Sequence, residues 1–100
     1  MPENPLATFT ALDPQFIEHL KATDDLVYAD GAVSKKMKLL IAMAFDASHG
    51  AIGGVKGLAS RAMQAGATKE EIVEVLRVAC HLGGVGSIYI ASQALKELFP

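Results

Sequence analysis

Few side chains in this sequence are of a type and spacing that could do chemistry. Asp46 and His49 stand three residues apart in MAFDASHG, a spacing that makes them neighbours on one helix face. A carboxylate beside an imidazole fixes its tautomer and raises its basicity, which suits a general acid/base. The plainer reading makes His49 a helix C-terminal residue favoured by the helix dipole and Asp46 a solvated carboxylate. Cys80 and His81 come next as candidates. Cys80 falls on an apolar stripe, where an unpaired cysteine usually serves as a small hydrophobe, and His81 falls on a polar stripe that could meet a neighbouring subunit. His19 reads as surface. The expectation is therefore catalysis through His49 and Asp46, with Cys80 and His81 as weaker candidates and no metal or cofactor. The adjacent Cys80-His81 pair diverges on a helix and cannot clasp an ion.

Two further motifs need a reason. GGVGS at 83–87 has the look of a phosphate loop, but no strand precedes it and no lysine follows, so a joint between helices is the better account. Gly50, Gly53, Gly54 and Gly57 crowd the start of another helical stretch, where each interior glycine costs about 1 kcal/mol relative to alanine. A close helix approach or a backbone lining a cavity would account for them, and so would a loosely wound helix start.

The elements that position these residues punctuate themselves. Ser34 is a good N-cap for a helix from Lys35 to Ser48, ended by Gly50. A second helix fits Ala51 to Ala65 before Gly66. Thr68-x-x-Glu71 is a capping box that opens a third. The first of these reads apolar on every side, from Leu39 to Phe45, and so as the buried core helix. In the second, Val55, Leu58, Ala59, Ala62 and Met63 make the apolar face. In the third, Val73, Val75, Leu76, Ala79 and Cys80 do so, opposite Glu70, Glu74, Arg77 and His81. Upstream, Asp13-Pro14 starts a helix with Phe16, Ile17 and Leu20 inward, reaching as far as Tyr28, and Asp24 and Asp25 read as a solvated face. Downstream, Ser87 caps a last helix with Ile88, Ala91, Leu95 and Leu98 inward. The expected fold is all-α, with residues 1–12 an irregular lead-in and 13–100 one helical domain of five or six helices.

Half the residues are hydrophobic (51%) but only 6% are aromatic, so a chain of 100 residues carries more apolar surface than it can easily hide, and self-association is expected. A formal net charge of −2 with no basic stripe argues against a nucleic-acid partner. No apolar run is long enough for a membrane span, and the N-terminal MPENPLATFT does not look like a signal segment. One cysteine allows no internal disulfide, which fits a reducing, cytoplasmic setting and removes dithiol chemistry within a subunit.

The segments DGAVSKKMKLLIAMA, RAMQAGATKEEIVEVLRVA and SQALKEL, over about residues 30 to 98, resemble the carboxymuconolactone decarboxylase and alkylhydroperoxidase D-like family. AGATKEEIVEVL is the most specific piece. The resemblance implies an all-helical subunit in trimers or hexamers, with a small-molecule ligand at a subunit interface. In the peroxidase branch it would require C-x-x-C-x-x-x-H on the second central helix and an acid on the first, and the decarboxylase branch would keep the histidine. Here the cysteine positions fall on Ala51 and Gly54, the histidine on Leu58 and the acid on Leu39. The resemblance thus implies peroxidase-type or lactone-decarboxylase-type activity without the usual side chains. The alternative is a catalytically silent oligomeric binding or assembly protein.

Overall fold

The computed structural model describes residues 4–100, and every regular element in them is helical. The order is α1 (Ala7–Leu12), α2 (Pro14–Val27), α3 (Lys35–Ser48), α4 (Ile52–Gln64), α5 (Lys69–Gly83) and α6 (Gly86–Leu95). Side chains at the N-termini satisfy amides that a helix leaves without internal partners. The Asp13 carboxylate accepts from the Phe16 N–H at 3.1 Å, with Pro14 at the first helical position. The Ser34 hydroxyl accepts from the Met37 N–H at 3.1 Å. At α5 the capping box is complete: the Glu71 N–H donates to Thr68 Oγ1 at 3.1 Å, and the Thr68 N–H donates to Glu71 Oε1 at 2.8 Å. Gly50 and Gly66, with φ of +80° and +103°, supply the left-handed turns after α3 and α4.

α3 is the hub. It packs on α4, α5 and α6, and α6 closes against α4 and α5. Leu39, Leu40 and Met43 of α3 meet Val55, Ala59 and Ala62 of α4, Ile72 and Leu76 of α5, and Ala91 and Ala94 of α6. Side chains as fully buried as Leu39 and Ile72 each contribute about 2 kcal/mol of transfer free energy. The many alanines on α4 and α6 let the helices approach closely. Lys36 pairs with Glu71 at 2.9 Å across α3 and α5. That ammonium, with the Thr68 amide, holds the Glu71 carboxyl below its ordinary range.

α1 and α2 stand outside this four-helix core. They pack on each other, with Phe9 edge-on to Phe16 at a centroid distance of 6.2 Å, and of α2 only Ile17 is buried.

Several expectations need correction. Part of the stretch expected to be irregular, 1–12, is the helix α1, of six residues, with the Asn4 side chain accepting from the Leu6 N–H at 2.9 Å; such a short helix shows no periodicity to read. Residues 1–3 of that stretch lie outside the described residues. Phe16 and Leu20 are exposed, because α2 has little of the core to turn toward. α3 is not buried all round, since Ile41 and Phe45 face outward. On α5 the buried set is Ile72, Leu76 and Ala79, whereas Val73 is exposed and Val75 and Cys80 are half-buried. Ser87 does not cap α6: it is buried inside the first turn, its hydroxyl donating to the Ala79 carbonyl at 3.4 Å. Ile88 lies near the surface, and Ala94 takes an inward place beside Ala91.

Candidate functional site

The end of α3 and the start of α4 meet at Asp46 and Gly54. A Cβ on Gly54 would come within 2.8 Å of Asp46 Cγ and would overlap Oδ2, so the carboxylate lies directly against the α4 backbone where only glycine leaves room. One of the four glycines is thereby explained as a close approach. Gly53 and Gly57 have nothing within 4 Å of where a Cβ would be. Asp46 is half-buried, and no described group donates a hydrogen bond to its carboxylate, which keeps its contact with solvent.

Ala51, Gly54, Leu58 and Arg61 follow at spacings of three, four and three, which places them along one stripe of α4. Asp46 covers the N-terminal end of that stripe. At the other end the Arg61 guanidinium lies over the Tyr28 ring, 5.1 Å from its centroid, and Arg61 Nη2 reaches Asp24 Oδ2 at 3.4 Å. Tyr28, the C-cap of α2, packs against the core cluster. Partial burial raises its phenol pKa, the neighbouring Asp24 carboxylate raises it further, Arg61 opposes, and Asp46 adds a smaller upward push. The hydroxyl therefore stays protonated at neutral pH. Tyr28 and Arg61 also border a cleft of about 500 Å³ between α2 and α4.

The other candidates stand apart. His49 is exposed at the C-cap of α3, its ring tilted against Phe45 at 6.2 Å, and no hydrogen bond or ion pair joins it to Asp46. Cys80 is half-buried and His81 exposed, both on α5, a helix that packs on α3 and α6. Among the described residues no group of three or more His, Cys, Asp or Glu side chains could hold a metal ion. No helix among them is long and apolar enough to cross a membrane. Sequence reading missed Tyr28 and Arg61. The signal was present in the register of Arg61 with Ala51, Gly54 and Leu58, but Arg61 itself falls neither on the apolar face nor with Lys56, Ser60 and Gln64.

The model of the carboxymuconolactone decarboxylase family matches residues 14–97. The chain belongs to the carboxymuconolactone decarboxylase family. A crystal structure of a family member from Legionella pneumophila, in its apo form, superposes with a TM-score of 0.82 at 32% identity. The match covers 91% of this chain and 81% of that one. No curated protein matches the chain significantly. The resemblance of AGATKEEIVEVL is thus carried by the whole helical unit from α2 to α6. In this member of the family, the position the resemblance gives to the second cysteine is Gly54, and the volume beside it is filled from α3 by Asp46.

Proposed function

We propose that this protein is a decarboxylase-type enzyme of its family, acting on a small lactone-like carboxylic acid with Asp46 as its acid/base. The observation that carries the reading is the carboxylate of Asp46 held against Gly54, on the stripe where the family's reactive side chains are expected. Loss of CO2 from a conjugated lactone acid leaves an electron pair that the ring carbonyl delocalises, and the carbon then takes one proton. Asp46, reachable from the stripe and from solvent, can deliver that proton and be reloaded. Ala51 and Leu58, both half-buried, lie on either side of Gly54 on the same stripe. The peroxidase branch is disfavoured because one cysteine cannot both attack and resolve within a subunit, and Cys80 is on another helix. His49, facing Phe45, is the weaker acid/base candidate. The test is CO2 release from a γ-lactone carboxylic acid. Asp46→Asn should lower the rate about 10²–10⁴-fold, and His49→Gln should leave it within about threefold. An unaffected Asp46→Asn would remove the reading.

The oligomer belongs to the same proposal. Ile41, Phe45, Val78 and Leu82 line an open groove of about 430 Å³ between α3 and α5, with hardly any polar surface. A second copy of the chain covering it would explain why α3 is apolar on all sides, and trimers or hexamers are the expected forms.

A further inference from the structure

We infer that the cleft between α2 and α4 is a binding site for a monocarboxylate with an apolar tail. The inference rests on the reading above only in placing small-molecule binding along the α4 stripe that ends at Arg61. The walls are Leu6, Ile17, Leu20 and Val27, and the charged groups are Lys21, Asp24 and Arg61. A volume of about 500 Å³ suits a small molecule, as does an apolar lining with a few charges along one side.

The charges decide the class. Arg61 carries five N–H donors, and only one contact, the long 3.4 Å pair to Asp24, is made. The Tyr28 ring lies against the guanidinium and steadies its plane. Lys21 forms no ion pair among the described residues. Two cations and one carboxylate leave a single positive charge, which one carboxylate neutralises with a forked hydrogen-bond pair to Arg61. A doubly charged phosphate monoester would exceed it. Among the lining residues the uncharged polar side chains are Thr23 and Tyr28, and the four aliphatic walls present hydrocarbon, so the remainder of the ligand is mainly hydrocarbon. Such an acid differs from the lactone acid taken as substrate, and Asp46 does not line the cleft, so the two sites are separate.

Isothermal titration calorimetry on the full chain with decanoate, below its micelle threshold, tests this. Decanoate should bind, decanol should bind at least about tenfold more weakly, and Arg61→Gln should weaken decanoate about tenfold or more. Because Arg61 also ties α2 to α4, Val27→Trp is the second variant: it fills the cleft without touching that tie, and should abolish decanoate binding while the helical circular dichroism is retained. Equal binding of decanol and decanoate, or full decanoate affinity in Val27→Trp, overturns the proposal. No decanoate binding to the unaltered chain does the same. Since binding is read without turnover, failure of the decarboxylase reading leaves this measurement standing, and the reverse also holds.

Discussion

The two open faces of the molecule differ in one respect that matters. The α3–α5 groove shows Ile41, Phe45, Val78 and Leu82 with no charge among its lining residues, whereas the α2–α4 side sets aliphatic walls beside Lys21, Asp24 and Arg61. A surface without polar anchors gains by excluding water over a wide area, as another protein surface allows. A surface with a few fixed charges gains by orienting one small molecule. Both faces are comparably large, so composition, not volume, separates the roles proposed for them.

The largest expected effect comes from charging the apolar face. Phe45→Glu or Val78→Glu should convert the proposed assembly to monomer, read as a fall in mass by a factor of about three or more in light scattering after size exclusion. If the unaltered chain already runs as a monomer at micromolar concentration, the contrast between the faces loses its basis. Next is Gly54→Ala, which forces the Asp46 carboxylate off the α4 backbone. Turnover should drop about 100-fold from misplacement of the acid. Helix stability should change little, since alanine's advantage of about 1 kcal/mol in a helix is offset by the crowding. With Asp46→Ala in the same chain that advantage should reappear as a higher melting temperature, and its absence would mean that the two residues are not coupled.

What the sequence revealed here depended on range. Caps at Asp13, Ser34 and Thr68 are local, and each hydrogen bond was legible from spacing alone. α1 escaped because six residues between prolines show no period. The outward set of Ile41 and Phe45 escaped because a helix apolar all round does not say which side the subunit itself covers. At the site, Asp46 stands out for its neighbour His49 in sequence; the glycine cluster signals a close helix approach, but nothing in either helix says that Asp46 makes it at Gly54. Arg61 and Tyr28 lie 33 positions apart and meet only where the C-cap of α2 reaches the last turn of α4.

Smaller effects separate the two faces from the frame that carries them. Thr68→Ala removes one half of the capping box and should cost about 1 kcal/mol in denaturant unfolding while leaving mass and ligand binding as they were. The pair Lys36–Glu71 gives the frame an acid sensitivity. Because the Glu71 pKa is lowered from 4.5, its contribution is full above that value and disappears as pH falls through the depressed one. Lys36→Met should shift the acid unfolding midpoint upward, and an unmoved midpoint would show the pair to be inert. Smallest is the alkaline effect at Tyr28. Its pKa is raised from 10.0, so the stabilisation it gives is complete below pH 10 and fades as pH climbs through the raised value. Tyr28→Phe should remove that component from the alkaline melting curve.

The meeting of Asp46 with Gly54 also constrains how this sequence can change. Any side chain placed at position 54, a cysteine included, collides with a carboxylate supplied by a different helix. A side chain at 54 and the present placement of Asp46 exclude each other, so a substitution at either position is felt first as a displacement at the other.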